Sequence, residues 1–253
     1  WGGGARGVWT CGWGREVGGG GVTTARDART LSLVPVGCSA AQLSNENWLD
    51  SANSAELATK SASLGAFPLN EGSLDASVLT SVSLPNSAGS KGFTVQITST
   101  SGAAGIALAE VYDPDAAGTA AQLTNISARG FSGLGADALS PGFVIDGEGA
   151  KTMLIRVVGP RLADFGVLGT MANPRLEVIP GGQSFVVAEN DDWGGTSALK
   201  TAFQTTGAFE FTNDGSRDAA VVVRLPPGPY TVRPSGANDG TGVILVEAYE
   251  VPE

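Results

Sequence analysis

Short apolar runs rich in β-branched residues alternate with turn residues through the second half of the chain. Glycine, proline and Asn-Asp-Gly turns separate the runs. Many short strands at close spacing are typical of an antiparallel β-sandwich, either jelly-roll or immunoglobulin-like. The predicted strands lie at residues 124–128, 142–145, 152–158, 176–179, 184–188, 219–225, 230–233 and 243–249.

Two segments of this half have a helical pattern instead. They are residues 161–167 and residues 197–205, where Leu199, Ala202 and Phe203 follow near-helical spacing. We expect each to form one short helix that closes an open end of the sandwich.

The chain contains a second, earlier copy of much of this pattern. Residues 31–39 align with 176–184, and the alignment continues without a gap to Trp48 and Trp193. So many landmarks in one order indicate a tandem duplication. Further matched pairs are Gly65-Ala66-Phe67 with Gly207-Ala208-Phe209, Gly72 to Ala76 with Gly215 to Ala219, Leu84-Pro85 with Leu225-Pro226, Phe93 to Val95 with Tyr230 to Val232, and Gly105 to Tyr112 with Gly242 to Tyr249.

The two copies differ in completeness. The second covers residues 123–253, whereas the first is partial, covers residues 31–112 and is followed by a linker at 113–122. Residues 1–30 are rich in Gly and Trp and show no strand or helix period, so we interpret them as an irregular segment. The first copy therefore lacks about three strands, which would leave open sheet edges.

Two explanations fit such a partial copy. The start of the sequence is truncated or wrongly framed, or a neighbouring chain supplies the missing strands by strand pairing. The sequence begins at Trp1 without an initiator Met, and we favour the first explanation. We expect the chain to come from a longer or processed gene product.

Composition and charge exclude several functions. The chain has no His, which excludes Ser-His-Asp and Cys-His catalysis and a His-rich metal site. A net charge of -10 argues against nucleic acid as a partner. No apolar stretch is long enough to span a membrane. Cys11 and Cys38 match no metal or redox motif.

The second copy resembles a C-terminal β-sandwich repeat of large secreted or surface proteins of environmental bacteria. It is also similar to the immunoglobulin-like and peptidase-associated C-terminal β modules of secreted proteins. The resemblance implies a non-catalytic extracellular module and covers residues 123–251 fully and 31–112 in part. It depends on Gly142 to Ile145, Lys151 to Pro160, Leu162 to Val167, Asn173 to Val178, Asn190 to Trp193, Gly207 to Phe209, Gly215 to Ala219, Leu225 to Val232 and Thr241 to Tyr249.

Loop carboxylates and amides form a candidate calcium site. Oxygen ligands of this kind suit Ca²⁺, but the same residues also form Asx turns without any metal. The candidate ligands are Asn190, Asp191, Asp192 and Asp214, while Asn213 and the Asp113-Pro114-Asp115 segment have similar composition. We predict no other cofactor.

Aromatic and acidic residues that recur in both copies are further candidates. Trp48 and Trp193 are either stacking platforms for a glycan or packing anchors. Glu110 and Glu247 each precede a Tyr by two residues on the last strand. Strand alternation places each on the same face as its Tyr, so we expect exposed polar residues or partners of an arginine such as Arg156. No second carboxylate is identifiably paired with either, so the pattern does not favour glycosidase chemistry.

Three fragments resemble active-site motifs without completing one. Gly133-Leu134-Gly135 has dinucleotide-motif spacing but lacks the following helix, and Gly149 to Thr152 lacks the glycines of a phosphate loop. Ser197 and Lys200 lie one helical turn apart, without the other elements of Ser-Lys acyl enzymes. We therefore predict no catalytic residue.

These observations favour a structural or adhesive β-sandwich repeat of an extracellular or cell-surface bacterial protein. The alternative is a carbohydrate-binding or calcium-stabilised accessory module of a secreted hydrolase. Expected partners are other copies or neighbouring modules through strand pairing, or a glycan.

Overall fold

The computed structural model describes residues 4–12, 29–83, 92–102, 105–115 and 122–252, with side chains from residue 29 onward. The chain divides into two compact units, unit 1 (Trp1–Gln122) and unit 2 (Leu123–Glu253). Both consist mainly of antiparallel strands, which confirms the all-β sandwich predicted from the sequence.

Each unit adds short helices to its strands. Unit 1 contains β1 (Gly4–Gly12), β2 (Arg29–Pro35), β3 (Leu43–Asn45), α1 (Ser54–Ser63), β4 (Ala76–Ser83), β5 (Phe93–Ser99) and β6 (Leu108–Tyr112). Unit 2 contains β7 (Asn125–Ser132), β8 (Gly142–Ile145), β9 (Lys151–Val158), α2 (Pro160–Asp164), β10 (Pro174–Pro180), β11 (Ala188–Asn190), α3 (Ser197–Thr206), β12 (Ala219–Leu225), β13 (Gly228–Gly236) and β14 (Gly242–Glu250). Short 3-10 turns lie at Trp48–Asp50, Gly135–Asp137 and Ala237–Asp239.

Unit 2 is a sandwich of two four-stranded sheets. The β10 sheet has the order β11-β10-β13-β8 and the β9 sheet has the order β12-β9-β14-β7. Alternate side chains of β9 and β14, such as Ile155 and Ile244, point between the sheets and pack against Leu176 and Val178 of β10. This alternation is what a period of two predicts for a strand that faces a core.

Strand β9 is buried on both of its faces. Leu154 and Val158, whose side chains point away from the inter-sheet core, pack beneath α3 together with Trp193. The β9 sheet is therefore covered on its outer side as well, which explains the continuous apolar run of β9.

Both predicted helices of unit 2 are present. Leu199, Ala202 and Phe203 form the buried face of α3, as their spacing indicated. The helix begins after Thr196, whose hydroxyl accepts from the Leu199 N–H, and ends at Gly207, where φ is 72°. Helix α2 is shorter than the predicted segment 161–167. It ends at Asp164, shortly before Gly166 adopts a left-handed φ of 79°.

Unit 1 has two three-stranded sheets, the β2 sheet (β3-β2-β5) and the β1 sheet (β4-β1-β6). Its core lies between them and includes Leu31, Leu33 and Val78. Helix α1, which the sequence analysis did not predict, contributes the fully buried Leu57 to a second cluster with Trp48.

Strand β1 corrects the interpretation of residues 1–30 as irregular for Gly4–Gly12, while residues 13–28 lie outside the described residues. It pairs with β4 and β6 as β9 pairs with β12 and β14, and Thr10 lies opposite Ser77 and Glu110 as Arg156 lies opposite Ala220 and Glu247. A central strand is held by main-chain hydrogen bonds on both edges, so it forms without the side-chain alternation that the sequence analysis required. The described part of unit 1 thus has counterparts of all unit 2 strands except β7 and β8.

Among the described residues, no helix is both long and apolar enough to cross a membrane.

Burial on the outer side of the β9 sheet can be tested with two truncations. Leu154 is 0% exposed, and Leu154→Ala should lower the free energy of unfolding by about 2–5 kcal/mol, because the cavity cannot collapse fully. Val222 on the same side of edge strand β12 is 40% exposed, so Val222→Ala should cost at most about 0.5 kcal/mol. Urea unfolding followed by circular dichroism measures both, and equal losses would contradict the two-sided burial of β9.

Candidate functional site

An asparagine side chain holds the start of the same turn in both units. In unit 2, Asn190 Nδ2 donates to the carbonyl of Asp192 at 2.9 Å and its Oδ1 accepts from the Ala220 N–H at 2.9 Å. In unit 1, Asn45 donates to the carbonyl of Asn47 at 2.9 Å and accepts from the Ser77 N–H at 3.0 Å. Both ends of each amide are therefore used to fix the turn against the next strand.

The tryptophan that follows each turn is a packing anchor by its contacts. Trp193 is 3% exposed and stacks on Phe203 at 5.5 Å, and Trp48 is 6% exposed. Each indole N–H donates to a main-chain carbonyl, that of Asn213 in unit 2 at 3.1 Å and that of Asn70 in unit 1 at 3.3 Å. Neither ring presents an open face for stacking a sugar.

The candidate calcium ligands point to different partners. The Asn190 amide is occupied in its turn, and Asp214 forms an ion pair with Lys200 at 2.7 Å. Asp191 and Asp192 are exposed. Within the part of the chain that the structure describes, no three acidic or thiol side chains come together as a metal site would need.

Asp218 is a buried carboxylate that the sequence analysis treated only as a repeat landmark. Its side chain accepts from the Gly159 N–H at 2.8 Å and from the Arg161 N–H at 3.2 Å, and so binds the start of α2. Ser216 donates its hydroxyl to the same carboxylate. In unit 1 the matched atoms, Asp75 Oδ1 and Ser73 Oγ, are buried without a hydrogen-bond partner.

A buried ion pair lies on the outer side of the β9 sheet. Arg156 is 0% exposed and donates through Nε to Glu247 at 2.9 Å and through Nη2 to the same oxygen. Its Nη1 donates to the carbonyl of Phe209 at 2.6 Å. Of the two environments expected for Glu247, the structure has the arginine partner.

Aromatic rings enclose the Arg156 guanidinium. Its central carbon lies 4.3 Å from the centroid of Phe209, 4.7 Å from that of Phe203 and 5.1 Å from that of Phe211. A cation over several ring faces is attracted by their quadrupoles, most strongly when water is excluded. The Arg156–Glu247 pair is therefore part of the packed interior and presents no free acid or base.

The tyrosine of each Glu-x-Tyr motif donates to its glutamate. The distance is 2.7 Å from Tyr249 to Glu247 and 3.0 Å from Tyr112 to Glu110. Burial, followed by the hydrogen bond to Glu110, raises the pKa of Tyr112 to about 12. Burial and the charge of Glu247 raise the pKa of Tyr249 further above its usual value.

A cleft of about 280 Å³ lies between α3 and the segment at residues 210–214. Polar side chains rim the opening: Lys200 pairs with Asp214, and Gln204 donates to Glu210 at 3.2 Å. The floor is formed by the aromatic core. The lining residues are Trp193, Lys200, Phe203, Gln204, Glu210, Phe211, Thr212, Asn213 and Asp214.

The residues that rim the cleft differ between the units, although the buried tryptophan is present in both. Aligning the buried Leu57 of α1 with the buried Leu199 of α3 places Ala58 and Ala62 where unit 2 has Lys200 and Gln204. Pro68, after the shared Gly-Ala-Phe landmark, stands where unit 2 has Glu210. The aligned positions of unit 1 thus carry no polar side chain where unit 2 has Lys200, Gln204 and Glu210.

The Ser-Lys fragment on α3 belongs to this rim. Lys200 Nζ lies 2.8 Å from Asp214 Oδ2, and its charge is neutralised there. Ser197 is an exposed residue in the first turn of α3. The arrangement therefore gives no activated nucleophile, which would need a nearby unpaired base.

Comparisons with known proteins give distant likenesses. No family model matches the chain, and no curated protein matches it. Among solved structures, the pre-peptidase C-terminal domain of a collagenase from Bacillus anthracis is 12% identical, covers 49% of this chain and 89% of its own, and has a TM-score of 0.29. The VP2 subviral particle of infectious bursal disease virus is 13% identical, covers 97% and 56% of the two chains, and has a TM-score of 0.17. Neither likeness bears on what this chain does.

The raised tyrosine pKa values predict how stability changes with alkaline pH. An unfolded tyrosine titrates near about 10, so the native state holds the protons of Tyr112 and Tyr249 to higher pH than the unfolded state. The contribution of Tyr112 to stability is complete below about pH 10 and is lost as the pH rises through about 12, its folded-state pKa. The contribution of Tyr249, whose pKa is raised further, persists to higher pH. Absorbance of phenolate at 295 nm should show Tyr112 and Tyr249 ionising late or only on unfolding.

The variant Tyr249→Phe serves as the control for that titration. It should remove one late-ionising group and leave the other. Ionisation of all three tyrosines near pH 10 in the folded chain would contradict the buried Glu-Tyr hydrogen bonds.

Proposed function

We propose that the chain is a non-catalytic structural or adhesive module, built from tandem β-sandwich repeats, of an extracellular or surface protein of a bacterium. The observation that carries the proposal is the use of its recurring polar residues. Each of these side chains makes an internal contact: Asn190 holds a turn, Asp218 binds the start of α2, and Glu247 pairs with the buried Arg156.

Unit 1 supports the same interpretation. Its Asn45 repeats the hydrogen bonds of Asn190, and its Tyr112 donates to Glu110 as Tyr249 donates to Glu247. Residues retained in two copies for the same internal contacts are maintained by the fold, whereas a catalytic set needs at least one group free to meet a substrate.

The acidic composition fits a location outside the cell. The net charge of -10 supports solubility and a monomeric state through mutual repulsion.

Location tests the proposal directly. Intact cells that produce the natural protein are treated with a protease, and peptides from unit 2 are then quantified by mass spectrometry in the released and the cell-retained fractions. We expect unit 2 peptides in the released fraction or in the medium. Recovery only with a cytosolic marker after lysis would rule out an extracellular module.

A carbohydrate-binding accessory module is the second candidate, and the cleft on α3 favours it. Small-molecule sites combine an apolar or aromatic lining with a few polar groups that orient the ligand, and the amide, carboxylate and ammonium groups around this aromatic floor could do so for sugar hydroxyls. Because Trp193 is buried, the rim residues Lys200, Gln204 and Glu210 would make the contacts instead of a stacked indole.

A glycan array with matched variants tests this second candidate. The double variant Lys200→Ala, Gln204→Ala gives α3 the residues that α1 carries at the aligned positions, so the fold should be retained. We expect it to lose at least about tenfold in affinity for any glycan bound by the natural chain, about 1.4 kcal/mol. Lys60→Ala on α1 removes the same charge elsewhere and should bind normally; equal binding by all three proteins would exclude the cleft.

A further inference from the structure

Three aspartates of the chain are followed by glycine, and all three lie in unit 2. They are Asp146, Asp214 and Asp239. Asp-Gly sequences are reactive, because the glycine nitrogen can attack the aspartate side chain without hindrance from a Cβ atom. The fold gives the three sequences different local contacts, so their reactivities should differ.

Asp146 lies in the exposed connection between β8 and β9. Its carboxyl Oδ1 accepts from the N–H of Gly147 at 2.8 Å, so the side chain is folded back onto the nitrogen of the next residue. Gly147 has a φ of 96°, which glycine adopts without a steric penalty. Asp146 and Gly147 are exposed, as are Glu148 and Gly149 after them. The carboxyl carbon and the nitrogen that would attack it are therefore held next to each other in contact with solvent.

The corresponding nitrogen at Asp214 is directed elsewhere. The Gly215 N–H donates to Asn213 Oδ1 at 3.0 Å. The carboxylate of Asp214 pairs with Lys200 at 2.7 Å. Ring closure would require both contacts to break, and each lost contact to a charged or polar partner adds to the barrier.

The tight turn between β13 and β14 restrains Asp239. Asn238 and Asp239 have positive φ values of 54° and 58°. The Gly240 N–H donates to the carbonyl of Ala237 at 3.1 Å, as the closing hydrogen bond of such a turn does. The attacking nitrogen is thus part of the turn, and ring closure would require the turn to open.

We propose that Asp146 is a site of spontaneous modification, at which aspartate converts to isoaspartate through a cyclic imide with Gly147. The Gly147 nitrogen forms a bond to the side-chain carboxyl carbon, and the OH of the protonated carboxyl group leaves with the N–H proton as water. Water then opens the imide. Opening at the side-chain carbonyl restores aspartate, and opening at the main-chain carbonyl gives isoaspartate. The overall composition is unchanged, and the reaction needs no enzyme.

The connection can hold the product without loss of the fold. Isoaspartate adds a methylene group to the main chain between Asp146 and Gly147. Residues 146–149 are exposed and belong to no strand, so the added length stays outside the core. Strand β8 before them pairs with β13, and β9 after them pairs with β12 and β14. Isoaspartate should therefore accumulate in folded protein.

Ageing of the full chain in mildly acidic buffer, well below its unfolding temperature, tests the proposal. Trypsin then places the three Asp-Gly sequences in separate peptides, residues 130–151, 201–217 and 225–253. Electron-transfer fragmentation distinguishes isoaspartate from aspartate in each peptide. We expect isoaspartate to form at Asp146 at least about tenfold faster than at Asp214 or Asp239, because reacting groups held together gain from proximity.

Two controls separate the effect of the fold from that of the sequence. Asp146→Glu keeps the charge but would have to close a larger and less favourable ring, so residues 130–151 should lose the isomerised product. In guanidinium chloride the local contacts are absent, and the three natural sites should convert at similar rates.

Two results would overturn the proposal. One is conversion at Asp146 no faster than at Asp214 and Asp239 in the folded chain. The other is a preference for Asp146 that persists undiminished in guanidinium chloride, which would mean that the neighbouring sequence, and not the contact with the Gly147 nitrogen, selects the residue.

Discussion

The buried guanidinium of Arg156 is the constraint around which unit 2 is arranged. A charge removed from water is tolerated only when its donors are satisfied, and breaking one partner of such a pair typically costs about 3–5 kcal/mol. Glu247 and the carbonyl of Phe209 accept from it, and Phe203, Phe209 and Phe211 cover it. Helix α3 and the segment after it must therefore fold onto the β9 sheet, and this placement also creates the cleft beside Trp193.

The two units show which parts of this arrangement are separable. Both retain the asparagine-held turn, the buried tryptophan and the Glu-Tyr hydrogen bond. The residue opposite the glutamate is arginine in unit 2 and Thr10 in unit 1. The turn and its buried tryptophan thus form without the ion pair. Two of the aromatic rings around the guanidinium, in contrast, occur only together with it: where unit 2 has Phe203 and Phe211, the aligned residues of unit 1 are Ser61 and Leu69.

Sequence patterns predicted the strands and helices whose buried side chains repeat periodically, and missed the contacts between residues that are distant in the sequence. Most strands of unit 2, α3 and its buried Leu199, Ala202 and Phe203 follow from spacing, because a buried face repeats with the period of its element. The strand expected at 184–188 is an exception, since the observed strand is Ala188–Asn190. By sequence Asn190 is a candidate either for a calcium ligand or for an Asx turn, because an amide oxygen suits a cation as well as an N–H, and only the structure shows the Ala220 N–H at 2.9 Å. Strand β1 was missed because its backbone partners, and not its own alternation, define it.

The pairing of β7 with β14 determines how unit 2 responds to force. Asn125 lies opposite Tyr249, so the chain enters and leaves the unit at the same end of one antiparallel pair. Tension applied through the two ends pulls this pair apart from that end, and its hydrogen bonds break one after another instead of sharing the load. Under pulling, β7 would detach first, leaving β9, β14 and the buried Arg156 beneath α3 still paired. A tethered array of such units would lengthen in small steps before any core is lost.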